Sequence, residues 1–268
     1  MKVGIFQETH DEYHQRGLVA SKSGLDQVAR SPAHFKAWVE STEERKTPAL
    51  VIGGALHCAL HEPDDLAKRY VVQPDFGDRR KTVAKTAHAA WMRDVAPGRT
   101  IITADQWNTA VCVAQAVREH PLAKRILADP DAEHETTVRW EDDGVPCKAR
   151  LDLLSRKRRM VLDVKTTEDA SEAGWIRSST NYGYHRQEAF YRQGLAANEV
   201  EIDHFVFLAV EKSAPNCIAM YTFDAAAQSM GRASIMRDVA RFRECLASGV
   251  WPGYPATIQR VTLPPWAA

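Results

Sequence analysis

Cysteine is scarce in this chain and poorly placed for bridging. Cys58, Cys112, Cys147, Cys217 and Cys245 lie far apart with no Cys-x-x-Cys pair, which argues against a disulfide framework or an iron-sulfur cluster. Long apolar runs are missing too: nothing approaches the roughly 20 residues needed to cross a bilayer. The N-terminal MKVGIFQETHDEYHQRG turns polar after six residues, too early for a signal peptide. The expected location is therefore the reducing cytoplasm, with no membrane association. Net charge is absent, because Lys plus Arg number 35 and Asp plus Glu number 35. A polyanionic partner must then be met by a local basic patch and not by a global field. No internal repeat and no Gly/Ser-rich or Pro-rich linker breaks the chain.

What is present is ordinary globular composition, 268 residues with 44% hydrophobic and 26% charged positions, long enough to bury about 75% of the unfolded chain's surface. One domain over 1–268 is expected, with a helical part over about 1–130, a sheet core over about 131–224, and a C-terminal helix and tail over 225–268. Ser23 is read as the cap of a short helix, and Ser31-Pro32 starts another that runs to about Glu40. The apolar run PALVIGGALHCALH predicts a buried helix over 48–61 that carries His57 inward. Further helices are expected at about 83–96 and 104–120, with a short strand RTIIT between them. Asp142-Asp143-Gly144 marks a turn between two strands, and MVLDVKTT supplies a third. Helices at about 169–179 and 184–198, the strands IDHFVFLAVEK and CIAMYTFD, and a helix over 224–248 complete a mixed sheet flanked by helices.

The segment KARLDLLSRKRRMVLDVKTT carries the chemistry. It puts Asp152 on one strand and Asp163 with Lys165 on the next, where residues two apart share a face and antiparallel neighbours lie side by side. Two carboxylates gathered inside apolar strands need a neutralising cation, and hard oxygen ligands suit Mg²⁺ or Mn²⁺. An ammonium beside such an ion fits the demands of phosphodiester hydrolysis. Alternatively, Asp152 and Asp163 face solvent and Lys165 is their ordinary ion-pair partner. Zn²⁺ is a further option, since His57 and His61 flank Cys58 at helical spacing, but the spacing shows no third ligand beyond them and no general-base Glu. Trp38, Trp91, Trp107 and Trp140 read as core residues.

Asp, a short turn, Asp-x-Lys and then a helix with Gln-x-x-x-Tyr resembles the PD-(D/E)xK nucleases, and among them the RecE-type exonucleases (exonuclease VIII). The segments SKSGLDQVARSPAHF, IGGALHCALHEP, CKARLDLL, LDVKTTEDAS and YGYHRQEAFY carry the resemblance, which spans about residues 20 to 212. It implies an α/β, restriction-endonuclease-like fold with a central mixed sheet and an N-terminal helical segment. It implies that Asp152, Asp163 and the carbonyl of Val164 hold the metals, that His57 reaches them from a helix, and that Lys165 is the catalytic lysine. Glu135 is similar to a further acidic residue of such exonucleases. Gln187 and Tyr191, one helical turn apart, would contact DNA or position the lysine. The sequence departs from relatives that carry Pro-Asp at the first motif, since Arg-Leu-Asp stands here, and Arg150 is offered to a phosphate instead.

Two basic clusters, Arg156 to Arg159 and Arg79-Arg80-Lys81, are either solvated loops or contacts to the DNA backbone, with Arg156, Arg158 and Arg159 nearest the acids in sequence. The implied activity is Mg²⁺-dependent digestion of one strand from duplex DNA ends, 5′ to 3′, leaving a 3′ strand for a RecT-like annealing protein. The RecE and lambda exonucleases are toroidal, so a homo-oligomeric ring is also implied. The alternatives are a repair or CRISPR-associated nuclease of the same superfamily, or a catalytically silent DNA-binding module.

Overall fold

The computed structural model describes residues 2–41, 47–78 and 80–262. The chain opens with strand β1 (Gly4–Gln7), then helices α1 (His10–His14), α2 (Lys22–Arg30), α3 (Pro32–Glu40), α4 (Pro48–His61) and α5 (Leu66–Arg69). Strand β2 (Tyr70–Val72), α6 (Thr82–Asp94), β3 (Thr100–Ile102), α7 (Ala104–Glu119) and α8 (Pro121–Leu127) follow. The second half runs β4 (Ala132–Asp142), β5 (Val145–Ser155), β6 (Met160–Thr167), α9 (Glu172–Tyr182), α10 (Tyr184–Ala197), β7 (His204–Glu211), β8 (Ile218–Tyr221) and α11 (Ala225–Ser248).

Six strands form one sheet in the order β1-β4-β5-β6-β7-β8, antiparallel except where β6 runs parallel to β7. The parallel pair follows from the intervening helices α9 and α10, because a parallel return needs a long crossover. Both sheet faces are covered. On one, Leu25, Phe35, Phe190 and Phe242 from α2, α3, α10 and α11 pack on Val138, Trp140 and Val161. On the other, Leu56, Val117 and Ile126 from α4, α7 and α8 pack on Leu153, Leu162 and Leu208. A sheet buried on both sides explains why β5 and β6 read as apolar runs in which an acid stands out.

Local signals set most helix starts. Ser31 accepts from the His34 N–H with Pro32 at the first helical position, and Thr47 with Pro48 starts α4 in the same way. Three expectations need correction. The cap of α2 is Ser21 and not Ser23, because Ala20 is pinned to β5 by hydrogen bonds with Pro146 and Lys148, so the chain leaves the sheet at Ser21. The helical part also contributes a sheet edge, β1, paired with β4 from Gly4–Arg139 to Gln7–Thr136. Finally, α4 is buried only in its second half, since Leu50 is 65% exposed. Trp140 lies in the core, and Trp38 and Trp107 pack at its margins.

Candidate active site

The site is made by a break in the ladder. β5 and β6 pair at Leu153–Leu162, Leu154–Val161 and Ser155–Met160, and no further. Where the next pair would form, the Asp152 Oδ2 atom accepts the Val164 N–H at 2.7 Å, so a carboxylate replaces a backbone carbonyl and the strands separate. The β4–β5 ladder is interrupted at the same level: His134 pairs with Leu153 and Thr136 with Leu151, while Glu135 and Asp152 do not pair. Glu135 has φ 48°, left-handed backbone that a side chain rarely adopts. The alternation reverses there. Leu151 packs in the core under α10, and Leu153, two residues on, in the core under α4. Asp152 and Asp163 therefore do not face each other across a regular ladder, as the spacing suggested. They sit in the mouth of a splayed strand pair.

Into this mouth α4 carries His57. Its Nδ1 lies 3.4 Å from Asp152 Oδ1 and 3.7 Å from Glu135 Oε1, and its Nε2 lies 3.2 Å from the Val164 carbonyl. Lys165 Nζ stands 2.5 Å from Asp163 Oδ2. On α10, Gln187 Nε2 donates to Asp163 Oδ1 at 2.5 Å, so the glutamine positions the acid and not the lysine. The Tyr191 hydroxyl interacts with Gln187 one turn back, and the Lys165 ammonium lies 5.2 Å from the centre of the Tyr184 ring. Gly183, left-handed at φ 63°, lets the chain turn from α9 into α10 so that Tyr184 begins the helix beside the lysine.

The electrostatics follow from burial and from too many carboxylates. Burial lifts Asp163 to about 6, with Lys165 opposing and Asp152 adding to the rise. Burial works against the charge on His57, yet Asp152 and Glu135 hold its imidazolium form well above the usual histidine range. Lys165 is likewise raised, Asp163 and Asp152 outweighing burial. Burial opposes ionisation of Asp152 also, but His57 first and Lys165 next keep it ionised far into acid. Glu135 is lowered despite its burial, chiefly by His57. The site thus gathers positive charge wherever a proton can sit. Glu135 Oε1 and Asp163 Oδ2 are buried without a hydrogen bond of good geometry, which leaves lone pairs aimed inward. This donor set, carboxylate oxygens with one imidazole, fits a divalent ion held by Asp152, Asp163, Glu135 and His57, beside the Val164 carbonyl.

A cleft of about 660 Å³ opens onto Lys165, lined by Lys22, Leu50, Tyr182, Tyr184, Gln187 and Tyr191. It shares Ser23 and Leu50 with a neighbouring hollow of about 770 Å³ that carries Arg16, Arg30 and His34.

Most of the basic residues offered to DNA are paired within the chain. Arg150 is 8% exposed, with Nε 2.6 Å from Glu135 Oε2 and one amino group donating to the Glu8 carbonyl. It braces Glu135 and is closed off from a phosphate. Arg156 pairs with Glu133, Arg158 with Asp129, and Arg159 with Asp203 and Glu201. Their turn closes the end of β5–β6 remote from the splay, where Glu133 of β4 and acids of neighbouring loops neutralise it. Arg80 forks onto Asp78 of its own loop, Lys81 precedes α6, and Arg79 lies outside the described residues.

Two site residues, Tyr184 and His134, escaped the sequence, and His61 reads there only as half of a zinc pair. Tyr184 lies in the segment YGYHRQEAFY but outside its Gln-x-x-x-Tyr pattern. His134 on β4 and His61 on α4 meet Nδ1 to Nδ1 at 2.8 Å across 73 positions of sequence, and no local pattern links residues that far apart. Burial above all drives the His61 imidazolium down to about 4, keeping the ring neutral. Cys58 is not a ligand: its thiol, 3.5 Å from the Glu62 carbonyl, is pushed up to about 11 by burial.

Solved structures resemble this fold at low identity. A candidate exonuclease of Eubacterium rectale superposes with TM-score 0.66 over 97% of this chain and 96% of its own, at 14% identity. A phage-related exonuclease of Haemophilus somnus 129PT gives TM-score 0.36 at 11% identity, covering 63% of this chain and 85% of its own. No protein of curated function matches. The model of the PDDEXK-like domain of unknown function (DUF3799) matches residues 21–263, which include every site residue above, and the chain belongs to that family, with the PD-(D/E)xK nuclease fold.

Proposed function

We propose that this protein is a divalent-metal-dependent DNA exonuclease of the RecE type, using Mg²⁺ or Mn²⁺ to hydrolyse one strand of a duplex from its 5′ end. The observation that carries the proposal is the convergence of Asp152, Asp163 and Lys165 with His57 and Glu135 in one buried mouth that opens on a cleft. A bound ion would activate water and neutralise the phosphate. The chain's own groups do the rest. Gln187 fixes the Asp163 rotamer through Oδ1, leaving Oδ2 toward Lys165. The Lys165 ammonium, at the cleft floor, is placed to donate to a phosphate oxygen and to orient the attacking water. Tyr184 covers one side of that ammonium and limits its motion. Arg150 holds Glu135 against His57.

The finer features rest on the resemblance. They are 5′ to 3′ polarity, a RecT-like annealing partner that takes the 3′ strand, a cytoplasmic location and a homo-oligomeric ring. Among the described residues, no helix is long and apolar enough to cross a membrane. Linear duplex labelled at the 5′ or the 3′ terminus tests the polarity. Early release of the 5′ label alone is expected; early release of the 3′ label alone, or cutting of closed circles, would assign the fold to a different nuclease.

A further inference from the structure

His61 sits one helical turn beyond His57 on α4, with ring centres 6.1 Å apart. Donor atoms of His57, His61 and Asp152 all lie within 4.8 Å of one another. The His61–His134 contact of 2.8 Å between two Nδ1 atoms requires one proton, on one ring or the other. If His134 carried it, His61 would hold its own proton on Nε2, and that atom is buried with no acceptor. An unmade buried N–H costs about 1 to 3 kcal/mol. If His61 carries the proton on Nδ1 and donates to His134, its Nε2 is a bare lone pair in a site that gathers cations. Donation from one imidazole nitrogen so that the other can ligate is the usual way a protein orients a metal-binding histidine.

We infer that His61 is a second imidazole ligand of the metal site, held in its ligating tautomer by His134, so that the site selects Mn²⁺ or a similar first-row transition ion over Mg²⁺. The inference rests on the metal-dependent nuclease proposed above. Two imidazoles among carboxylates shift a site away from Mg²⁺, which takes oxygen ligands and keeps its waters, toward ions that bind nitrogen well. His134 is a positioning residue and does not touch the ion.

Mn²⁺ alone, without DNA, is the probe. Free Mn²⁺ is counted by its paramagnetic resonance spectrum, and the nitrogens on bound Mn²⁺ by electron spin echo modulation. The wild type should show two imidazole nitrogens and bind Mn²⁺ at least tenfold more tightly than Mg²⁺. His61→Leu should lose one nitrogen and about 10- to 100-fold in Mn²⁺ affinity, with much less change for Mg²⁺. His134→Leu should weaken Mn²⁺ by about 10- to 100-fold, whereas His134→Asn, whose amide oxygen can replace the acceptor, should stay within about threefold of wild type. A single nitrogen in the wild type overturns the inference, and this readout needs no variant to fold. So does a His61→Leu protein with wild-type affinity and nitrogen count; if Asp163→Ala then abolishes binding, the nuclease proposal stands without His61. A wild type that binds no Mn²⁺ overturns both.

Discussion

At the residue scale, the site depends on one buried carboxyl whose charge the fold resists. Asp163 is 1% exposed and, chiefly through burial, titrates near 6 in the folded chain. Its folded value lies above the unfolded value of about 3.9. The protonated carboxyl therefore favours folding in acid, and that contribution is lost as pH rises from about 4 through about 6. Asp163→Asn mimics the neutral form. The metal-free variant should match the wild type in thermal stability below about pH 4 and exceed it above pH 7, by on the order of 3 kcal/mol. Mn²⁺ should raise the melting temperature of the wild type and leave Asp163→Asn unmoved. A variant less stable than wild type at every pH would show that the Lys165 pair, not the burial penalty, dominates. Lys165 itself predicts a separate pattern. Lys165→Ala should reduce turnover by about 10²- to 10⁴-fold with Mn²⁺ affinity within a few fold of wild type. Lys165→Arg should not rescue it, because a planar guanidinium cannot replace a compact ammonium. Wild-type rates in Lys165→Ala would remove the lysine from the mechanism. These acids and the lysine were legible in the sequence because each interrupts an apolar strand. His134 and Tyr184 were not, because nothing local distinguishes a site histidine or tyrosine from a core one.

At the element scale, strands and helices were legible where the pattern was strong: β5 and β6 as apolar runs, α3 from its Ser-Pro start and α4 from its apolar run. The four-residue edge strand GIFQ carries too little pattern to announce itself. The splay between β5 and β6 was invisible for another reason. It comes from a side chain, Asp152, taking the place of a ladder carbonyl, and from a left-handed residue, Glu135, that is not glycine. Sequence rules for such backbone rely on glycine, and a glutamate in left-handed backbone defeats them. The helix that carries Gln187 is held by close packing. Gly231 on α11 lies against the His185 carbonyl of α10, and a Cβ there would overlap that backbone oxygen. Gly231→Ala should therefore cost about 1 to 3 kcal/mol, seen as a melting temperature lower by roughly 3 to 10 °C, with Mn²⁺ stoichiometry retained. Unchanged stability would mean that α11 yields freely and does not set the position of α10.

At the scale of the whole molecule, the missing net charge constrains how the proposed DNA substrate would be held. Arg150, Arg156, Arg158 and Arg159 are committed to acids of the chain, so these four arginines do not form a free cationic face for a duplex. Long digestion then requires repeated rebinding or topological capture, since each phosphate contact is weakened by salt. A closed ring supplies capture. Light scattering should give an integral multiple of 30.0 kDa greater than one, and digestion should continue after excess unlabelled duplex is added. A monomer that halts at once on competitor would establish a distributive enzyme. End-labelled linear duplex beside closed circles, in Mn²⁺ or Mg²⁺ and in EDTA, decides whether Asp152, Asp163 and Lys165 form a metal-dependent site that cuts from DNA ends. Label should be lost from linear duplex with metal and kept in EDTA, with circles intact throughout; equal digestion of linear duplex in EDTA would rule out a metal-dependent site.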